Sequence, residues 1–194
     1  MRSALFALFA LAAASVLASA AHAAPATYAI DPTHTFATFE IDHFGASTNR
    51  ARFDKKSGSV QFDKAAKTGK VEVALDMTSV NSGTPAFNKH LQSADIFNVE
   101  KFPEAKFVSD KFVFNGDKLK EVTGQLTLLG KTAPITIKAN KFTCYESPML
   151  QKREVCGGDF EATIDRTQWG LDYGIAYGFP KEVRLVMQIE AVKQ

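Results

Sequence analysis

The sequence predicts an all-β fold, an antiparallel arrangement of about eight strands with one short helix inserted, able to close as a barrel or stack as a sandwich. Three observations predict it. Apolar and polar residues alternate with period two through most of residues 24–194, residues tolerant of positive φ punctuate those runs, and a single stretch carries apolar residues at helical spacing.

Along the chain, residues 28–30 and 34–41 read as the first strands. The basic cluster Arg50, Arg52, Lys55 and Lys56 alternates with other residue types and reads as a solvated strand end rather than a phosphate-binding patch. A turn is expected at Lys56-Ser57-Gly58 and a strand over 58–62. Val71, Val73, Leu75 and Met77 then share one face, with Glu72, Ala74 and Asp76 opposite. Residues 84–93 break the period: Pro85 stands near the start and Phe87, His90 and Leu91 follow at helical spacing, which predicts a short helix. The strand over 107–114 alternates imperfectly and implies a bulge near Asp110. Asn115-Gly116-Asp117 turns the chain into Val122, Gly124, Leu126 and Leu128, and Leu129-Gly130-Lys131 turns it again into Ile135, Ile137 and Ala139, with a bulge expected after Asn140. Phe160, Ala162 and Ile164 alternate with Asp159, Glu161 and Thr163, and Val183, Leu185, Met187 and Ile189 complete the set.

Residues 1–23 read as a secretory signal peptide and residues 24–194 as one domain. Met1-Arg2 is a short positive start, residues 4–18 are small and apolar, and Ala21-His22-Ala23 has the small-x-small spacing at which signal peptidase cuts, so cleavage is expected after Ala23. The apolar run is shorter than the roughly 20 residues of a bilayer-spanning helix and no comparable stretch recurs, so no membrane span is expected. Loss of Arg2 takes the formal charge from +2 to +1, too near neutral to imply nucleic acid or an acidic membrane surface as partner. Cys144 and Cys156 bracket a charged, proline-containing loop between strand-like runs, and in an oxidising compartment a disulfide there would staple the hairpin. The Cys-x-x-Cys spacing of a redox thiol is absent. His34, His43 and His90 stand at no metal-site spacing, so neither metal nor cofactor is expected. The chain has no Gly-x-Ser-x-Gly elbow and no glycine-rich phosphate loop, and no catalytic residues are assigned.

Sixteen phenylalanines, two of them in the leader, leave fourteen in the mature domain, a large store of bulky apolar surface. That composition leans toward a barrel, whose interior either fills with side chains or holds one small ligand. The phenylalanines are then core packing, or the lining of a pocket for a long hydrocarbon.

Four motifs resemble the YceI-like family. Asp31-Pro32-Thr33-His34-Thr35, with residues 39–42 and His43-Phe44-Gly45, is similar to its opening signature. Residues 91–103, from Leu91 through Asp95-Ile96-Phe97 to Phe102-Pro103, resemble its helix-to-strand segment, with Phe107 in the strand that follows. Residues 124–134, with Gly130-Lys131-Thr132-Ala133-Pro134, resemble its central hairpin, and Ile164-Asp165-Arg166-Thr167-Gln168-Trp169-Gly170-Leu171 its late strand-and-loop motif. The resemblance implies an antiparallel eight-stranded lipocalin-like β-barrel, capped by the inserted helix, that binds polyisoprenoid-type or other long-chain lipids in a periplasmic setting. Where the family commonly carries Arg-Asp before the helix His-Leu, this chain has Phe87-Asn88-Lys89-His90-Leu91, a more apolar pocket mouth.

The expected function is therefore that of a periplasmic, non-catalytic binding or carrier protein. It would hold a long-chain isoprenoid lipid (a polyprenyl chain, an isoprenoid quinone or a similar amphiphile) in the lumen. A fatty-acid or amide carrier, or a stress-related barrel acting through its outer surface, is the alternative, and a homodimer is the one protein assembly entertained. From the faces read as buried, the candidate lining is Phe39, Ile41, Phe62, Val73, Leu75, Phe107, Leu126, Ile137, Phe160 and Leu185. Candidates at the mouth are Phe44, Phe87, Leu91 and Trp169, with His43 and His90 placed to donate to a quinone or phosphate oxygen or to make structural hydrogen bonds.

Overall fold

A computed structural model describes residues 24–194; the expected leader and its cleavage after Ala23 lie outside them. The chain forms β1 (Ala26–Ile30), β2 (Phe36–His43), β3 (Ser47–Phe53), β4 (Lys56–Asp63), β5 (Thr68–Asp76), β6 (Val80–Asn81), α1 (Pro85–Gln92), β7 (Glu104–Asn115), β8 (Lys118–Leu128), β9 (Lys131–Glu146), β10 (Glu154–Asp165) and β11 (Glu182–Lys193). All pairings are antiparallel, in the order β1-β4-β5-β7-β8-β9-β10-β11, and β1 pairs back onto β11, which closes an eight-stranded barrel.

The three remaining strands lengthen three staves of that ring. β1 and β2 both pair with β11, at Ala191–Lys193 and at Arg184–Gln188, so they are one broken strand. β3 pairs with β2 as β4 does with β1, and β6 pairs with β3 as β5 does with β4. The break in the first stave is where Asp31-Pro32-Thr33-His34-Thr35 sits. Proline cannot donate to a ladder, and the segment bonds sideways instead: Asp31 N donates to Glu190 O at 2.8 Å, Thr35 Oγ1 donates to the same carbonyl at 3.1 Å, and Glu190 N donates to Thr35 Oγ1 at 3.1 Å. The motif thus carries the barrel wall past Ile189 and Glu190, which neither β1 nor β2 pairs.

Within the motif Asp31 Oδ1 accepts from Thr33 N at 2.8 Å, and Asp31 Oδ2 lies 2.7 Å from His34 Nδ1. Burial works to raise the Asp31 pKa, but the hydrogen bonds from His34 and Thr33 outweigh it and hold the carboxyl at about 2. The hydrogen bond to Asp31 in turn raises His34 above the usual imidazole value. A raised His34 favours the fold at pH below the ordinary imidazole pKa of about 6.5, and that contribution is lost as pH rises through the folded value. A depressed Asp31 favours it above about 3.9 and is lost as pH falls toward 2. The break is held most firmly between those limits. Asp31→Asn is expected to return the His34 midpoint toward the ordinary imidazole value, read by NMR titration; an unmoved midpoint contradicts the pairing.

Several local expectations are corrected. Lys56-Ser57-Gly58 is not a turn but the start of β4, and Gly58 is needed because a Cβ there would stand 2.2 Å from Glu72 O on the paired strand. The basic segment is a full strand, β3, rather than a strand end: Ala51 and Phe53 are buried, while Arg50 pairs with Glu40 and Arg52 with Asp54 on the outside. The second bulge falls at Asn140, since Asp159 faces Lys141 and Phe160 faces Ala139. The first lies between Val108 and Lys111, around Asp110 as predicted. Leu129-Gly130 is the two-residue hairpin turn, both residues at positive φ (50° and 71°) as a type I′ turn demands. The helix runs Pro85–Gln92 with Thr84 and Ser93 as its caps.

The two ends of the barrel differ. At the lower end Cys144 and Cys156 face each other across β9 and β10 and form a disulfide. Beside it Tyr28 donates to Glu154 at 2.5 Å and Lys64 pairs with the same carboxylate, which ties β1 and the β4–β5 turn to β10. Burial, with the Glu154 carboxylate adding to it, pushes the Tyr28 hydroxyl well above its usual pKa. Replacing both cysteines by alanine is expected to cost about 3 kcal/mol, the unfolded-state entropy of a loop this short. Urea unfolding of the oxidised protein and the variant checks it; equal midpoints contradict it. The upper end is covered by α1, the segment 93–103, and two short 3-10 turns, Arg166–Trp169 and Ile175–Tyr177.

Candidate functional site: a two-chambered lumen

The inward faces of the strands do not fill the barrel. Two cavities lie along its axis, a lower one of about 180 Å³ and an upper one of about 400 Å³. They share walls at Phe39, Phe53, Leu75, Ala105, Leu126 and Leu185, so these six side chains form a common waist between two chambers. Period-two alternation delivers this lining directly, because each strand turns every second side chain inward.

Of the residues expected to line the lumen, Phe62, Val73, Phe107, Ile137 and Phe160 face the lower chamber. Ile41, Phe87, His90 and Leu91 face the upper one, and Phe39, Leu75, Leu126 and Leu185 face both. Phe44 and Trp169 line neither. Phe44 stands 56% exposed on the loop after β2, its ring 4.8 Å from that of Phe179, which does line the upper chamber. Trp169 is not at an open mouth: it is 1% exposed, packed in the main core, and its Nε1 donates to Leu126 O at 3.0 Å. A buried indole needs one acceptor, and that bond seats the 3-10 turn on the wall of β8.

Both chambers carry polar side chains, Tyr28, Thr35, Thr38 and Lys106 around the lower and a larger set around the upper. In the upper chamber His43, Asn49, His90, Arg166 and Tyr173 join an otherwise apolar wall built from strand ends, α1 and the late loop. The ring of His90 meets Tyr173 edge-on at 5.1 Å, joining α1 to the late loop, and His43 meets Phe179 at 5.4 Å, joining β2 to the same loop. Asn88, where the family resemblance leads one to look for a charged residue, is engaged in structure: its Oδ1 accepts from Ser82 N and Ser82 Oγ, each at 2.7 Å, and fixes the entry to α1.

Arg166, Tyr173, Phe179 and Phe97 in the upper chamber, and Phe112 and Phe142 in the lower, were not among the expected lining residues. An arginine after a strand reads as solvent-facing, and only the fold buries it, to 7% exposure. The aromatic run Tyr173-Gly174-Ile175-Ala176-Tyr177-Gly178-Phe179, spaced by glycines, was the one available signal for the late loop.

In chemical terms the lumen offers hydrocarbon contact throughout its length, with histidine, asparagine, arginine and tyrosine gathered at the upper end. Cys144, Cys156 and Glu154 lie close enough together to suggest a metal site, but the sulfurs are covalently paired and the carboxylate is held by Tyr28 and Lys64. Among the described residues no helix is long and apolar enough to cross a membrane.

Comparison with known proteins places this architecture. A UPF0312 protein of Pseudomonas aeruginosa is 38% identical over 96% of this chain and 97% of its own length, and Protein YceI of Escherichia coli O157:H7 is 36% identical over 93% and 94%. Among solved structures, Burkholderia cenocepacia BcnA superposes with a TM-score of 0.70 at 22% identity, covering 84% of this chain and 99% of its own. A polyisoprenoid binding domain from Saccharophagus degradans gives 0.60 at 15% identity, over 88% and 99%. The YceI-like domain model matches residues 28–191, from the first strand to the last, and the chain belongs to the YceI-like family.

Proposed function

We propose that this protein is an extracytoplasmic, most simply periplasmic, carrier that holds the long apolar tail of an isoprenoid or similar amphiphile in the barrel lumen. The observation that carries the reading is the open space itself. Protein interiors are packed to crystal-like density, yet here the inward faces of all eight staves surround two adjacent chambers, the larger of about 400 Å³, within the range of small-molecule sites. The tail would lie across the waist toward the disulfide end, with the headgroup among His43, His90 and Arg166. Its driving force is apolar burial, at about 0.8 kcal/mol per methylene. Membership of the YceI-like family supports the reading, as does the likeness of fold to a domain described as polyisoprenoid binding. The disulfide and the leader read in the sequence support an oxidising location.

Native mass spectrometry of the exported protein, purified without detergent, tests this. A bound apolar molecule of defined mass is the expected result. A bare chain that also fails to take up added farnesol or longer polyprenols overturns it.

A further inference from the structure

Arg166 is a buried cation that makes no ion pair among the described residues. It closes β10 at the upper end of the barrel and forms part of the upper chamber wall. Three carbonyls fix its side chain: Nε donates to Pro180 O at 3.0 Å, and Nη1 donates to Leu171 O and Tyr173 O, each at 2.8 Å. Nη2 is buried and has no hydrogen-bond partner. Among the described residues no carboxylate makes an ion pair with this guanidinium. Asp165, its chain neighbour, accepts instead from Thr167 N at 2.9 Å and Thr167 Oγ1 at 2.6 Å. Burial lowers the Arg166 pKa from the ordinary guanidinium value, and Asp172 and Asp165 act only as more distant charges in the opposite sense.

Such an arrangement is costly. A buried charge normally sits opposite a counter-charge, and a buried N–H without an acceptor forfeits its solvation. Carbonyl dipoles hold the fork in place without cancelling its charge. Arg166 also lines the upper chamber, at the end away from the disulfide, beside His43, Asn49, His90 and Tyr173 in an otherwise apolar wall.

We infer that the ligand carries an acidic headgroup, a carboxylate or a phosphate at the end of its hydrocarbon chain, and that the headgroup seats against the Arg166 guanidinium in the upper chamber, a small side-chain shift opening Nη2 to it. This rests on the carrier reading and adds the ligand's chemical class to it. The guanidinium would then gain an acceptor for Nη2 and a directly paired counter-charge in one contact. A neutral alcohol supplies the first without the second.

The test compares acid and alcohol of one chain on the mature protein: oleate against oleyl alcohol, and farnesyl phosphate against farnesol, each by calorimetric titration. A charge-assisted hydrogen bond in a desolvated site predicts that at least one acid binds about ten- to a hundredfold more tightly than its alcohol. Which pair shows the preference tells carboxylate from phosphate. In Arg166→Gln the acid-to-alcohol ratio should fall toward one, and Arg166→Lys, which keeps the charge but not the fork, should fall between. Should these variants fail to fold, oleate labelled with 13C at the carboxyl and bound to the unaltered protein decides, since a carboxylate on Arg166 stays ionised to lower pH than in a neutral pocket. Acids and alcohols binding alike, an acid preference that survives Arg166→Gln, or an unshifted carboxyl midpoint overturns the headgroup assignment and leaves the lumen reading standing. Failure of all four compounds to bind overturns the lumen reading itself.

Discussion

Ala105→Phe is expected to abolish high-affinity uptake of long-chain amphiphiles while shorter ones still enter the upper chamber. Ala105 is 4% exposed, lies in β7 opposite Leu75 of β5, and belongs to both chambers. It is the smallest side chain of the waist that Phe39, Phe53, Leu75, Leu126 and Leu185 otherwise make. A benzyl group there would fill the waist between the chambers. Every methylene kept out of the lower chamber forfeits about 0.8 kcal/mol, so excluding several lowers the affinity by two orders of magnitude or more. The variant should still fold, because an extra side chain in a tight site costs about 1–3 kcal/mol and here has empty space on either side. Displacement of a fluorescent fatty-acid probe by octanoate and by oleate checks this. Unchanged oleate affinity would mean that the chambers are not traversed by one chain.

The second large effect is on stability. Trp169→Ala should cost about 3–5 kcal/mol, the usual range for deleting a fully buried indole. It also leaves Leu126 O without the Nε1 donor that now stands 3.0 Å away. For a domain of this size that lowers the melting temperature by on the order of 10 °C. Trp169→Phe keeps most of the packing and loses the N–H, so about 1 kcal/mol is expected from the lost bond, beyond the smaller ring. Calorimetric melting of both variants separates the two contributions. Because Trp169 and Arg166 share one 3-10 turn, the alanine variant should also loosen the late loop, whose Tyr173 meets His90 of α1.

The strands were legible because their side chains report one face each. Val71, Val73 and Leu75 against Glu72 and Ala74 need only a period, and the lumen-facing residues drawn from such runs, Phe62, Val73, Phe107, Ile137 and Phe160, all reach the lower chamber. The helix was legible from Pro85 and the spacing of Phe87, His90 and Leu91, whose shared face is the one the barrel receives. The choice between a filled and a hollow core was not legible, since a phenylalanine facing a cavity and one facing another side chain look alike in sequence. Nor was β3, where arginines at alternate positions disguised the inward set Ala51 and Phe53. Gly58 read as a turn because a glycine demanded by close strand approach cannot be told locally from one demanded by a bend. Arg166 escaped for a tertiary reason: its carbonyl partners at Leu171, Tyr173 and Pro180 come from a loop whose path the strand pattern does not specify.

The most direct test uses the chain's single tryptophan as a reporter inside the wall. Trp169 is bonded to Leu126, a residue that faces both chambers, so a hydrocarbon tail crossing the waist passes close by. A long-chain amphiphile brominated near mid-chain should quench Trp169 emission in step with binding, and quenching should fall away in Ala105→Phe. Saturable binding that leaves Trp169 emission untouched would place the tail outside the barrel and contradict the account.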